Sequence, residues 1–356
     1  MKLAALEFER PAHLVAQAPP EARGLARDQV RLLVSGPDGH HHSRFVNLAN
    51  FLEAGDVLVV NDSATLPASL PAEGEVGAFR LNLSTRYGDT LWLAEPRWDA
   101  ATPGPLPLRA GEPFRVGALR GAFVAPYPGL PRLWFVRFYG SASRAMRRCG
   151  EPIRYGYVKE PYPLEHYQTL FARQPGSAEM PSAARPFTPR VVARLKSKGV
   201  QLATITLHTG VSSLEVEHDE IEKHPLYPEP FEVPAETARL VNEARREGRR
   251  AIAVGTTVLR ALESAMGGEQ LVPRRGFTRL YLHPGKTIRS VDGLLTGLHD
   301  PRASHLAMLY ALAGEALVKA GYAEAVRDGY LWHEFGDSQL ILIRRRQRGT
   351  KLLVAV

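Results

Sequence analysis

The chain has 356 residues, 44% of them hydrophobic, with 45 Lys and Arg against 37 Asp and Glu for a formal charge of +8. This suits two domains with packed cores, and the single Cys149 excludes an internal disulfide framework. No apolar run approaches the roughly 18 to 20 residues that span a bilayer, and Glu7 and Glu9 stand where a signal peptide needs an apolar stretch, so a cytoplasmic protein is expected.

In chain order, residues 29–34 read as a strand and His40-His41-His42 as a turn. Adjacent side chains point apart on any regular element, so the three histidines are read as a solvated loop and not a metal site. Residues 51–56 end a helix, and Val57-Leu58-Val59-Val60 is a buried strand finishing in Asn61 and Asp62. From Ser63 to Arg148 the composition shifts to Pro, Gly and Arg with short alternating runs, for example Phe79, Leu81 and Leu83 against Arg80, Asn82 and Ser84. Further strands are expected at 90–94, 114–119 and 133–139. The pattern predicts a small antiparallel β-barrel, residues 63–149, inserted into an α/β domain made of residues 1–62 and 150–356. Between Arg80 and Cys149 stand eleven Arg, no Lys and four acids, Asp89, Glu95, Asp99 and Glu112. Such a surplus is either a solvated face or a surface for a phosphate backbone.

Beyond Tyr157 helices and strands alternate. Helices are expected at 189–199 and 234–247, and strands at Gln201–Leu207 and Ala251–Val254. Thr256 or Thr257 is expected to cap the next helix, which carries Arg260 and Glu263. Strands at 279–282 and 291–296, helices at 305–317 and 322–328, and a last strand at 339–343 complete the series. Alternation of this kind predicts a largely parallel sheet with helices.

Three of these strands end in polar triplets: His208-Thr209-Gly210, Gly255-Thr256-Thr257 and His299-Asp300-Pro301. Ligands of open α/β sheets bind beyond the carboxyl ends of the strands, so the triplets are expected to line one crevice. The helix after Gly255 offers unpaired N–H groups there. His208 and His299 can act as acid or base, or can be buried histidines bonded to backbone. Asp337 after Gly336 is a turn former or a ligand contact, and His224 and Glu229 bracket a Pro-rich loop. Zinc spacing, a Gly-Lys-Ser/Thr phosphate loop and a three-glycine dinucleotide fingerprint are all lacking, so no metal and no prosthetic group are expected.

Over essentially its full length the chain resembles the S-adenosylmethionine:tRNA ribosyltransferase-isomerase family of queuosine biosynthesis. The matching segments are Leu58-Val-Val-Asn61-Asp62 with Leu66-Pro67-Ala68, Tyr167-Gln168-Thr169, Thr206-Leu-His208-x-Gly210, Ala253-Val-Gly255-Thr-Thr257-x-x-Arg260-x-Leu-Glu263, Pro284-Gly285, Val291-Asp292, His299-x-Pro301-x-x-Ser304 and Gly336-Asp337. The resemblance implies an α/β domain with an inserted barrel, and transfer of the ribosyl part of S-adenosylmethionine to a 7-aminomethyl-7-deazaguanine in tRNA, where it rearranges to an epoxycyclopentane. It implies S-adenosylmethionine as co-substrate, tRNA as partner, and no metal. We expect His208, His299 and Asp337 to carry the chemistry. Asn61, Asp62, Gly210, Gly255, Thr256, Thr257, Arg260, Glu263 and Ser304 are expected to bind substrate.

The chain also departs from the family pattern. Where the family has Asn-Asp-Thr-Arg and Pro-Ala-Arg, Ala64 and Ser69 replace both arginines. In the Pro-Thr-Ala-Gly-Leu-His-Phe motif Pro186 stands for the histidine, Gly297 stands for the asparagine of Asn-Phe-His-Leu-Pro, and Tyr227 for the second histidine of His-x-Met-His-x-Glu. Losing two guanidinium groups and an imidazole changes anion binding or acid–base roles. A divergent paralogue acting on another acceptor and a non-catalytic RNA-binding protein therefore stand as alternatives.

Overall fold

The structure, a computed structural model, describes residues 1–99, 102–211, 216 and 218–343. β1 (Arg31–Gly36) and β2 (Gly39–Arg44) form a hairpin, so the three histidines lie on an edge strand and not in the expected turn. Polar partners hold them there: His40 Nδ1 meets Ser35 Oγ at 2.9 Å, and His42 Nδ1 meets the Tyr330 hydroxyl at 2.9 Å. A 3₁₀ segment, Phe45–Phe51, takes the place of the helix expected to end at Asp56 and leads to β3 (Val57–Asn61). The short strand β4 (Ser63–Thr65) follows at once.

β5 (Ser69–Gly74), β6 (Gly77–Arg86), β7 (Leu91–Arg97), β8 (Pro113–Val116), β9 (Leu119–Tyr127) and β10 (Leu130–Phe138) then close an antiparallel barrel. Its interior is aromatic. Phe114, Phe123, Phe138 and Trp134 meet edge-on or tilted with centroids 5.0 to 5.6 Å apart, an arrangement aromatic quadrupoles favour. α1 (Ala142–Cys149) packs on the barrel, and β11 (Gln174–Ser177) then pairs in parallel with β4.

α2 (Pro189–Ser197), β12 (Gln201–Leu207), β13 (Glu229–Val233), α3 (Ala235–Arg246), β14 (Ala251–Val254) and α4 (Thr256–Ser264) follow. Next come a small hairpin of β15 (Met266–Gly267) and β16 (Gln270–Leu271), then β17 (Arg274–Thr278) and β18 (Gly293–Gly297). The expected strand at 279–282 is not formed, because side chains take its backbone groups: Leu280 N–H donates to Thr278 Oγ1 at 3.0 Å, and Arg260 Nε donates to Leu280 O at 3.0 Å. The chain then forms α5 (Ser304–Ala313), α6 (Glu315–Arg327) and β19 (Ser338–Leu342). The helix expected at 305–317 divides at Gly314, whose φ of 84° is open to glycine.

The large sheet runs β17-β13-β12-β3-β14-β18-β19-β1-β2. Its centre is parallel: β3 pairs with β12 and with β14, and β14 with β18. Val57, Leu58, Val59 and Val60 are all 0% exposed, as a central strand covered on both faces requires. The carboxyl ends of four strands therefore share one edge. β19 runs antiparallel to β18 with Ser338 opposite Gly297, which brings Asp337 to that same edge. The barrel meets this edge where Val211 N–H donates to Ser84 Oγ (2.9 Å) and the Tyr87 hydroxyl donates to Pro228 O (3.1 Å).

Candidate active site

The rim is built on Asn61, which is fully buried and ties its neighbours together. Its Oδ1 accepts the N–H groups of Ser63 and Leu207, each at 3.0 Å, and its Nδ2 donates to Leu207 O at 2.8 Å. It is a strut beneath the crevice floor. Asp62 accepts the Thr206 hydroxyl at 2.6 Å, so the β3 and β12 ends are cross-linked twice. Neighbouring strands lie about 4.8 Å apart, so this rigid edge presents its side chains at fixed spacing.

His208 is only partly buried, and its Nδ1 lies 2.7 Å from Ser63 Oγ, itself 2.6 Å from Ser177 Oγ. Ser177 Oγ also accepts the Thr209 N–H at 3.0 Å. Gly176 lies flat against the imidazole, since a Cβ there would fall 2.4 Å from His208 Nδ1. Burial holds the His208 pKa below the usual histidine value, with the Asp62 charge opposing. The ring is thus neutral near pH 7, and in the tautomer that donates Nδ1–H to Ser63 its Nε2 carries the lone pair a base needs.

Gly255, at φ 100°, is the N-cap residue of α4, and no side chain caps the helix. The expected threonine cap is therefore absent. Thr256 and Thr257 instead open the helix, and Ala183 covers Gly255, with its Cβ 3.3 Å from where a Gly255 Cβ would stand.

Two pockets flank this centre. One lies over the ends of β18 and β19 and is lined by Ala183, Arg185, Pro186, Gly297, Glu334 and Asp337 among others. It encloses about 10 Å³, room for roughly one water. Arg185 is 2% exposed and donates to Glu21 at 3.0 and 3.2 Å and to His166 O at 2.9 Å. Asp337 is 6% exposed, and its two oxygens accept the N–H groups of Arg31 (2.7 Å) and Leu331 (2.8 Å). Burial pushes its carboxyl up despite these bonds. Its geometry is that of an anchor for the turn before β19.

The second pocket is lined by Tyr227, Glu229, Arg260, Tyr281, Ser304 and His305 among others. Arg260 is ion-paired with Glu229, whose other oxygen accepts the Gly210 N–H at 2.7 Å. His305 stacks on His299 at 4.9 Å, and burial drives the His305 pKa down to about 4. His299 Nε2 lies 2.9 Å from Thr296 Oγ1, and burial holds this ring neutral too. The neighbouring His224 is 5% exposed with neither ring nitrogen partnered.

The structure therefore brings Asn61, Asp62, His208, Gly210, Gly255, Thr256, Thr257, His299, Asp337, Arg260 and Ser304 to one edge. Glu263 is the exception: it lies near the far end of α4, about 10 Å along the helix, and accepts the N–H groups of Arg289 and Ser290. In this structure its carboxylate is occupied by backbone. Sequence reasoning did not single out Ser63, Ser177, Arg185, His305 or Glu334. Only Arg185 left a signal, as a charge inside an otherwise apolar loop.

A nine-stranded sheet with a closed barrel at the carboxyl ends of its parallel strands, and acid–base groups along that edge, defines a two-part α/β protein with one working rim. A family model described as "Queuosine biosynthesis protein" matches residues 3–341. A Thermus thermophilus protein named S-adenosylmethionine:tRNA ribosyltransferase-isomerase is 37% identical over 96% of this chain and 99% of its own length. One of the same name from Desulfitobacterium hafniense is 35% identical over 96% of this chain and all of its own length. The crystal structure of a Thermotoga maritima S-adenosylmethionine tRNA ribosyltransferase superposes with a TM-score of 0.53 at 28% identity, covering 95% of this chain and 100% of that one. The chain belongs to this queuosine biosynthesis enzyme family. Among the described residues no helix is long and apolar enough to cross a membrane, and no group of three or more His, Cys, Asp or Glu side chains is placed to hold a metal ion.

Proposed function

We propose that the protein is an S-adenosylmethionine:tRNA ribosyltransferase-isomerase. It transfers the ribosyl part of S-adenosylmethionine to 7-aminomethyl-7-deazaguanine in tRNA and isomerises it to give epoxyqueuosine, releasing adenine and methionine. The observation that carries this reading is 37% identity along 96% of the chain to a relative of that name. A sulfonium acidifies the carbon beside it, so the reaction needs a base, a proton donor for adenine, and shielding from water, but no metal. A neutral, partly exposed His208 suits the base, while His299, Asp337 and Asn61 hold the rim in shape.

In this reading residues 1–62 and 150–356 are the catalytic domain of a cytoplasmic enzyme, and the inserted unit 63–149 meets tRNA. On the outer face of β9 and β10, Arg120 and Arg137 are exposed and make no ion pair among the described residues, beside Tyr139 at 67% exposure. Guanidinium groups with an aromatic ring suit a nucleic-acid backbone. A second reading, a paralogue with a different acceptor, is favoured by the placement of the departures: Pro186 and Gly297 line one pocket and Tyr227 the other. The test is incubation with S-adenosylmethionine and precursor-bearing tRNA, followed by mass spectrometry of small molecules and of the tRNA. Adenine release with modified tRNA is expected, release without modified tRNA selects the paralogue, and no release rejects both.

A further inference from the structure

The pocket over β18 and β19 contains a second carboxyl group besides Asp337, that of Glu334. Glu334 sits in the turn closed by Gly336 N–H on His333 O at 3.0 Å, three residues before Asp337. It lines the pocket beside Pro186 and Gly297, where the family pattern has a histidine and an asparagine. Its Oε1 is buried without a hydrogen-bond partner, which in a native structure calls for an explanation.

Four titratable groups face it: Glu179, Arg185, Tyr157 and Tyr167. None of them hydrogen-bonds Oε1. Glu179 accepts the Tyr155 hydroxyl, Arg185 is taken up by Glu21 and His166 O, and the Tyr167 hydroxyl is itself unpartnered. The adjacent His333 turns away to Asp300 at 3.0 Å and stacks on Tyr157. Burial first, and the Glu179 charge second, push the Glu334 carboxyl up to about 8, with Arg185 opposing. Near pH 7 it is a neutral acid with an O–H to give, while His208 on the same edge is a neutral base. Two groups pushed apart in this way are how one site runs acid and base steps together.

We infer that Glu334 is the proton donor of this site, protonating the purine as it leaves the ribose. This role rests on the proposed function. The bond from C1′ to the purine nitrogen breaks, its electron pair stays with the purine, and a lone pair of the ribose ring oxygen fills the vacancy at C1′. The purine takes the Glu334 proton, and Glu334 is left as the carboxylate.

The experiment is adenine release from S-adenosylmethionine and precursor-bearing tRNA between about pH 6 and pH 9, for the wild type, Glu334→Gln and Glu334→Asp. Calorimetry measures S-adenosylmethionine affinity for each. The wild-type rate should fall above about pH 8, where the donor ionises. Glu334→Gln should be at least about tenfold slower at neutral pH with affinity retained, and should lack the alkaline fall, while Glu334→Asp keeps it. A Glu334→Gln variant with the wild-type rate and profile overturns the role. So does one that loses affinity in proportion to rate with the alkaline fall intact. A wild type that releases no adenine rejects the proposed function and this role together, whereas an active wild type with an unaffected variant rejects this role alone.

Discussion

A carboxyl held protonated inside a protein leaves a mark on stability that needs no substrate. Glu334 titrates near 4.5 in an unfolded chain and near 8 in the folded one. Between those values the folded state binds the extra proton, so the stabilising contribution is complete below about pH 4.5 and is lost as pH rises through about 8. The interval from 4.5 to neutral pH, at about 1.4 kcal/mol per pH unit, comes to roughly 3.5 kcal/mol at most. Glu334→Gln keeps the shape of the protonated acid and does not ionise, so near pH 7 the variant should be the more stable by up to that amount. Near pH 4 the two should melt together. With an unfolding entropy of about 2 cal/mol/K per residue over 356 residues, the neutral-pH gap corresponds to roughly 5 °C in Tm. Paired thermal melts by circular dichroism from about pH 4 to pH 8 read it directly. A gap that does not change with pH refutes the reasoning, and a wild type that gains on the variant as pH rises would show a carboxylate paired with Arg185.

Gly176→Ala places a Cβ where the His208 ring now sits, 2.4 to 2.6 Å from three of its atoms, and should turn the imidazole off Ser63. Adenine release should drop at least about tenfold with the melting curve little changed, and unaltered release removes His208 from the chemistry. Arg260→Ala strands the Glu229 carboxylate, 3% exposed, without its partner, and urea titration should show a loss of about 3 to 5 kcal/mol. The double variant Arg260→Met with Glu229→Gln should recover most of that loss, and no recovery would mean packing, not charge, is at stake. Replacing Arg120 and Arg137 by Gln should lower the slope of log affinity for tRNA against log salt by about 0.7 to 0.9 for each phosphate no longer neutralised. An unchanged slope shows that this face of the barrel does not meet the backbone.

The parallel centre of the sheet was legible because its strands are short apolar runs, Val57–Val60 and Ala251–Val254, each stopped by polar residues at the point where the rim begins. Edge strands were not, since an edge pairs on one side only and tolerates polar side chains. Thus His40–His42 have the pattern of a turn and Arg274–Thr278 carry Phe277 as their one large apolar residue, while the more apolar 279–282 has the pattern of a strand without forming one. The sequence put Glu263 on the same helix as Arg260, one turn further on, but only the fold reveals that Arg260 reaches Glu229 beside the crevice while Glu263 is taken up by the N–H groups of Arg289 and Ser290. Glu334 was least legible of all. In the run Trp332-His333-Glu334-Phe335-Gly336 it reads as a solvated turn acid, and its neighbours Tyr157, Tyr167, Glu179 and Arg185 stand roughly 150 to 180 residues earlier in the chain. Desolvation is a property of what the fold assembles and not of local pattern, so a strongly altered acidity can fall on a residue that a linear reading passes over. The same argument connects loss and gain: Pro186 and Gly297 remove polar side chains from the very pocket into which this chain brings an unpartnered carboxyl, so the chemistry of that pocket has to be judged as a set, not position by position.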